Sequence, residues 1–134
     1  MYLDGGHLYV FMVYGMHYCA NVVTRTEGVG EAALLRAAEG SAGAPPKLLS
    51  GPGRLCAALG ITVADSGADL AGEGDLRLYL SPQPPGEIRV TSRIGVDYAG
   101  DAREWPLRFY EAGSRAVSGP ARLRSPQSEA RSGP

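Results

Sequence analysis

HLYVFMVYGMHYCANVV, residues 7–23, is the stretch that decides the fold. Residues 8–14 form a run of β-branched, aromatic and aliphatic side chains, which is typical of a strand buried on both faces. Gly15 interrupts this run, and residues 18–24 resume it in the same style. Two strands joined near residues 14–16 and one strand with a glycine bulge both fit the pattern.

The size and composition of the chain bound the classes of protein it can be. Its 134 residues are 44% hydrophobic and 20% charged, as expected for one globular domain. The net charge of −1 does not suggest a nucleic-acid binder, although such an average can hide a local basic groove. The apolar run from Leu8 is far shorter than the ~20 residues of a membrane span, and no signal peptide is recognisable. We therefore expect a cytoplasmic protein that does not contact membranes.

Cysteine and histidine are too few and too dispersed for a metal site. Cys19 and Cys56 form no CxxC pair, and we expect both to be buried, reduced thiols. His7 and His17 lie ten residues apart with no carboxylate at motif spacing. The sequence also contains no phosphate-binding or dinucleotide-binding glycine motif. These features predict no metal and no cofactor.

The middle of the chain contains one clear helix signal and one ambiguous segment. Residues 52–59 are predicted to form a helix, because Pro52 suits its first position, Ser50 or Gly51 can cap it, and Gly60 can end it. Residues 31–39 have a helix-forming composition between glycines, yet a short central strand fits them equally well.

The second half of the chain reads as short strands followed by a tail. Residues 76–80 and 87–96 alternate like strands, and residues 105–111 could be a further strand or a packed aromatic arm. From residue 118 onward apolar side chains almost disappear and arginines outnumber the single glutamate. We expect residues 118–134 to be a disordered basic tail.

Four segments together resemble the alkyladenine (3-methyladenine) DNA glycosylase family. They are LYVFMVYGMHYCANVV, EAALLRAAEG, SGPGRLCAALGI and SRIGVDYAGDAREWPLRFY, in the family's order and near its spacing, from about residue 8 to residue 110. The resemblance implies an α+β fold, a single compact domain with a curved, mostly antiparallel sheet and a few helices. It assigns residues 1–117 to a partial glycosylase domain and makes residues 31–39 a strand.

The resemblance also implies an activity. Members of this family are monofunctional base-excision repair enzymes that flip a damaged purine out of double-stranded DNA and hydrolyse its N-glycosidic bond with an activated water. They use no metal and no redox cofactor. By resemblance we expect a monomer that acts on duplex DNA carrying an alkylated or deaminated purine, in the cytoplasm and associated with the nucleoid.

Individual residues match the family's functional positions. Tyr14 matches the tyrosine that intercalates into DNA, and Phe11 matches a tyrosine that stacks on the flipped base. Asn21 matches the asparagine that rejects normal guanine, and Arg36 matches an arginine that holds the catalytic water and the phosphate side of the flipped nucleotide. Arg54, at the start of the predicted helix, is a candidate phosphate ligand in its own right. Without the resemblance, the aromatic residues would be read as strand core and Arg36 as a surface arginine.

The family's general base has no counterpart in this sequence. It is a glutamate in a Glu-x-Tyr pattern upstream of the aromatic strand, where this sequence has only MYLDGG. We therefore expect the chain to be the C-terminal part of a glycosylase and to be inactive alone. Two alternatives are a DNA-binding remnant without catalysis and an unrelated interaction module, the latter requiring that Tyr14 be buried.

Overall fold

Residues 7–23 form a β-hairpin in the computed structural model, which describes residues 4–25, 28, 30–93, 100 and 104–119. Strand β1 (Leu8–Val13) pairs antiparallel with strand β2 (His17–Val23), and residues 14–16 connect them. Of the two interpretations that the sequence left open, two strands joined by a turn is therefore the correct one.

The ambiguous segment that follows contributes a third strand. Strand β3 (Ala32–Leu34) pairs antiparallel with β2, which gives the strand order β1-β2-β3. The backbone N–H of Leu35 donates to the carbonyl of Ala20 at 2.9 Å and extends this pairing by one residue. The strand implied by the family resemblance is thus confirmed, because pairing with β2 outweighs the helical propensity of the segment.

Helix α1 (Pro52–Leu59) has the bounds that its punctuating residues predict. Gly51 occupies the N-cap with φ 116°, and Pro52 lies in the first turn, where its missing N–H costs nothing. Gly60 ends the helix in the left-handed region with φ 69°, and its N–H donates to Ala57. The helix packs on β2 through its buried residues Leu55 and Cys56.

One face of the hairpin builds the hydrophobic core together with α1 and the loop after it. The loop after α1 contains a short 3-10 helix (Val63–Asp65). Reciprocal hydrogen bonds between Thr62 and Asp65, a capping box, cap the N-terminus of this helix. Ser66 Oγ accepts a hydrogen bond from the backbone of Val10, which anchors the loop on β1. The core cluster consists of six buried residues: Leu8, Val10, Ala20, Cys56, Ile61 and Leu70.

A second, two-stranded antiparallel sheet joins β4 (Ile88–Thr91) to β5 (Arg108–Glu111). The strand predicted over residues 87–96 is thus observed at 88–91, while residues 94–99 lie outside the described part of the chain. Residues 105–111 form a strand from residue 108 onward rather than only an aromatic arm.

The strand predicted at residues 76–80 is wrong. Among the described residues this segment pairs with no strand, although the N–H of Leu78 donates to the carbonyl of Leu70 at 2.9 Å. Leu80 is 97% exposed and Tyr79 is also exposed. Alternation of apolar residues creates a strand only where a neighbouring strand can accept the backbone hydrogen bonds.

These elements make a small α+β domain with antiparallel sheets and one α-helix among the described residues, which confirms the predicted fold class. Curvature of the sheet and the domain boundary at residue 117 stay predictions. Residues 120–134, most of the predicted tail, lie outside the described residues. Within the described residues, no helix combines the length and apolar character that crossing a bilayer requires.

Candidate base pocket and DNA-facing hairpin

The tip of the hairpin presents Tyr14 to solvent. Tyr14 (φ 55°) and Gly15 (φ 66°) both have positive φ, the combination found in type I′ turns, and Met16 N–H donates to the Val13 carbonyl at 3.1 Å. Tyr14 is the one residue other than glycine with positive φ in the described part of the chain. Its side chain is 90% exposed, which excludes the interaction module that required it to be buried.

The face of the hairpin opposite the core gathers the predicted pocket residues. Tyr9 pairs with Asn21 and Phe11 pairs with Cys19, so these four side chains point to the same side of the sheet. The rings of Tyr9 and Phe11 lie 5.7 Å apart between centroids and are tilted by 38°. Phe11 is half-buried, so that part of its ring remains open to a ligand.

Asn21 is fixed in place by two hydrogen bonds from its side-chain amide. Its Nδ2 donates to the Tyr9 carbonyl at 3.3 Å and to the Cys19 carbonyl at 3.4 Å, and the residue is 8% exposed. Both bonds use the nitrogen, so the amide is held in one orientation. This arrangement gives the sheet face a rigid polar group beside the two aromatic rings.

Arg36 lies beside Cys19, two residues beyond the end of β3. Its carbonyl accepts a hydrogen bond from Gly51 at 2.7 Å, which ties it to the start of α1. Burial raises the pKa of the Cys19 thiol, and the positive charge of Arg36 partly offsets that rise. Burial likewise lowers the pKa of Arg36, whose Nε has no hydrogen-bond partner among the described residues.

A second arginine, Arg108 on β5, was missed by sequence reasoning. It is only 4% exposed, and its Nη2 donates to the carbonyl of Ser118. Burial lowers the pKa of Arg108, and the nearby positive charge of Arg36 lowers it further. In residues 107–110 (LRFY) the arginine stands between apolar residues, a pattern typical of a solvent-facing position in a strand. The sequence therefore does not indicate that Arg108 is buried.

Arg54 is exposed on α1, which packs on the core face of the hairpin rather than on the pocket face. The N-cap Gly51 provides no side-chain hydrogen bond to the first turn of the helix. Gly53 of this turn lines a groove of about 270 Å³ together with Met16 and His17. A Cβ on Gly53 would lie 3.0 Å from His17 Nδ1, so glycine is what allows the imidazole to pack there.

The structure thus places Phe11 and Asn21 on one sheet face, with Tyr14 at the end of the same hairpin and Arg36 just beyond β3, where its charge acts on Cys19, and it leaves Arg54 elsewhere. Cys19 and Cys56 are buried and free, as predicted. No group of three potential metal ligands occurs among the described residues.

Comparison with known proteins identifies the family. Residues 1–115 match the family model described as methylpurine-DNA glycosylase (MPG). A protein of Bdellovibrio bacteriovorus, named "Putative 3-methyladenine DNA glycosylase", is 46% identical over 119 residues, which cover 82% of this chain and 62% of that protein. Relatives of the same name from Desulfitobacterium hafniense and Methanoculleus marisnigri are 40% and 44% identical, each match covering 88% of this chain and 67% of the relative.

The chain therefore spans roughly two thirds of the length of these relatives, at 62% to 67%. The match of the family model over most of the chain agrees with the resemblance of the four sequence segments. The chain belongs to the methylpurine-DNA glycosylase family.

Proposed function

We propose that this protein recognises damaged purines in double-stranded DNA and belongs to a base-excision repair glycosylase that removes them by base flipping. The observation that carries the proposal is the conformation of Tyr14. A bulky residue with φ 55° at a solvent-exposed turn is an uncommon and strained arrangement. It projects an aromatic ring from the end of a hairpin whose one face gathers Phe11 and Asn21.

Tyr14 is suited to act as the wedge that replaces a flipped base. Extruding a nucleotide costs a few kcal/mol of stacking, and a side chain inserted between base steps offsets part of that cost. The exposed ring of Tyr14 can enter the minor groove without prior rearrangement of the protein core.

Phe11 and Asn21 are suited to receive and select the base. The ring of Phe11 offers an aromatic face for stacking, an interaction that tolerates differences between bases. The buried amide of Asn21, fixed by its two hydrogen bonds, cannot move aside for the exocyclic amino group of guanine. Rejecting a competitor by such a fixed group is a general route to specificity.

Arg36 is suited to hold an oxygen ligand, either the attacking water or a phosphate. The hydrogen bonds and ion pairs of the described residues join no carboxylate to Arg36 or Asn21. Loss of a general base lowers a rate by about 10²–10⁴-fold. We propose that the 134-residue chain by itself binds DNA without measurable hydrolysis, acting as a monomer; contact of Arg54 with a phosphate stays a prediction.

The experiment measures binding and excision with the same duplex, which carries one hypoxanthine opposite thymine. Fluorescence anisotropy should show salt-dependent binding that favours the lesion over an undamaged duplex, and alkali treatment should reveal no abasic site. Arg36→Ala should weaken binding, whereas Arg77→Ala should not, because Arg77 is exposed and bonded to the carbonyls of its own loop.

Two outcomes would contradict the proposal in different ways. Absence of any lesion preference would remove the assignment of Phe11 and Asn21 to a base pocket. Clear excision that disappears in Arg36→Ala would show that a described residue, or water held by Arg36 alone, suffices for hydrolysis.

A further inference from the structure

Among the described residues, several buried side-chain donors without a hydrogen-bond partner lie on or near Arg108. They include Nε and Nη1 of Arg108, Nε of Arg36, and the hydroxyl of Ser118. Native proteins bury few such atoms, and each calls for a physical reason. All four can donate a hydrogen bond, so one acceptor-rich ligand could satisfy them together.

Two of these residues are in direct contact, because Arg108 donates through Nη2 to the Ser118 carbonyl. Burial lowers the pKa of Arg108, and the positive charge of Arg36 adds to that effect. Glu39, in the segment that follows Arg36, is exposed and accepts a hydrogen bond from Ser114 at 3.1 Å. The ion pairs of the described residues, Arg25–Glu31 and Arg89–Glu87, involve neither buried arginine.

A buried guanidinium group near a second, partly buried one is unfavourable when no carboxylate of the described residues pairs with either, because burial removes water and the like charges repel. A group with several oxygen acceptors and a negative charge would remove both penalties. Phosphate has this chemistry, and the planar fork of arginine binds it through paired hydrogen bonds. Arg36 is only partly buried whereas Arg108 is 4% exposed, so Arg36 is the more accessible of the two to an anion from solvent.

We propose that Arg108 and Ser118 form the buried half of a phosphate site whose solvent-facing half is Arg36. In this site the Nε and Nη1 of Arg108 and the hydroxyl of Ser118 donate to the anion, and Arg36 contacts it from the solvent side. A DNA backbone phosphate and free inorganic phosphate offer the same chemistry. The statement that DNA supplies the phosphate rests on the proposed function, whereas the phosphate site itself does not.

The first arm tests inorganic phosphate by thermal unfolding of the full chain. Phosphate should raise the Tm above that in chloride of equal ionic strength, by about 5 °C at a tenfold excess over its Kd, and the shift should saturate. Phosphate also stabilises proteins without binding. Arg77→Gln should therefore keep the full shift, while Arg36→Gln should retain only the non-specific part.

Arg108→Met separates a phosphate site from a purely structural role. In chloride its Tm should equal or exceed that of the wild type, because the change removes a buried charge that no carboxylate of the described residues neutralises, and the specific phosphate shift should vanish. Arg108→Lys keeps the charge and should keep part of the shift. A lower Tm in chloride for Arg108→Met with an undiminished phosphate shift would overturn the proposal. So would the absence of a saturable shift in the wild type, a result that does not depend on either variant folding.

The second arm tests DNA as the source of the phosphate. Loss of one phosphate contact lowers the slope of log K against log salt by about 0.9. Arg36→Gln and Arg108→Met should each show this decrease with a lesion duplex if DNA supplies the anion. An unchanged slope in both variants, with a specific shift in inorganic phosphate, assigns the site to free phosphate and supports the proposal without DNA. DNA binding without any phosphate shift would overturn this inference and leave the proposed function standing.

Discussion

Replacing Tyr14 by glycine should stabilise the protein while weakening its binding to DNA. The left-handed conformation costs a residue with a Cβ about 1–2 kcal/mol, and Tyr14 adopts it with φ 55°. Glycine removes that cost but loses about 0.5–1 kcal/mol through the greater freedom of the unfolded chain. The ring is 90% exposed, so its removal sacrifices little buried area. A net gain of about 0.5–1 kcal/mol should raise the Tm by a few degrees.

The effect on DNA has the opposite sign. Stacking of a base on an aromatic side chain contributes about 1–3 kcal/mol, which corresponds to roughly a 5- to 150-fold change in Kd. Both Tyr14→Gly and Tyr14→Ala should lose this binding free energy. Only glycine also removes the conformational cost of the positive φ at residue 14. Tyr14→Phe should retain binding and stability because it keeps the ring and the Cβ.

The assay pairs thermal unfolding, followed by circular dichroism, with fluorescence anisotropy on a hypoxanthine duplex. Tyr79→Ala is the matched control, since Tyr79 is an exposed tyrosine on the irregular segment at residues 76–80. A lower Tm for Tyr14→Gly would show that the ring is a packing residue. Wild-type affinity in both Tyr14→Gly and Tyr14→Ala would refute its assignment as the wedge.

Three further perturbations follow from the structure. Asn21→Ala should lower the Tm, because it removes two side-chain hydrogen bonds to the hairpin backbone at about 0.5–1.5 kcal/mol each, and it should reduce the preference for hypoxanthine over guanine in the binding assay. Burial raises the pKa of Cys19 and Cys56, so the native state holds their protons more tightly. Unfolding free energies from urea titrations should then decline as pH rises above the ordinary thiol pKa of about 8.5, and a constant value up to pH 10 would contradict this. Gly60→Ala should cost about 1 kcal/mol at φ 69°, whereas Gly74→Ala, which has open space and no positive φ, should leave the Tm unchanged.

Features that depend on local chemistry could be predicted from the sequence. The bounds of α1 follow from Pro52 and Gly60, whose backbone preferences act within one turn of the chain. The hairpin follows from two apolar runs around Gly15. The strand at residues 32–34 needed the family resemblance, because its composition favours a helix and its partner β2 decides the outcome.

Features that depend on distant neighbours could not be predicted in this way. Residues 76–80 alternate like a strand but lack a paired strand among the described residues. Arg108 is charged at a position that alternation would place in solvent, yet it is buried against Ser118. Both discrepancies arise because a sequence pattern shows which side chains a segment could bury, but not which other elements are available to pair or pack with that segment.

The hairpin turn links the candidate wedge to the candidate pocket. Strand register determines which side chains face the core, and a shift by one residue would exchange the two faces. In the observed register Phe11 and Asn21 lie on the pocket face while Val10 and Ala20 lie on the core face. Turn geometry sets that register, and Tyr14 with Gly15 forms the turn. Tyr14 therefore has two separable roles, a backbone role that glycine can fulfil and a side-chain role toward DNA that it cannot, which is why stability and binding should change in opposite directions.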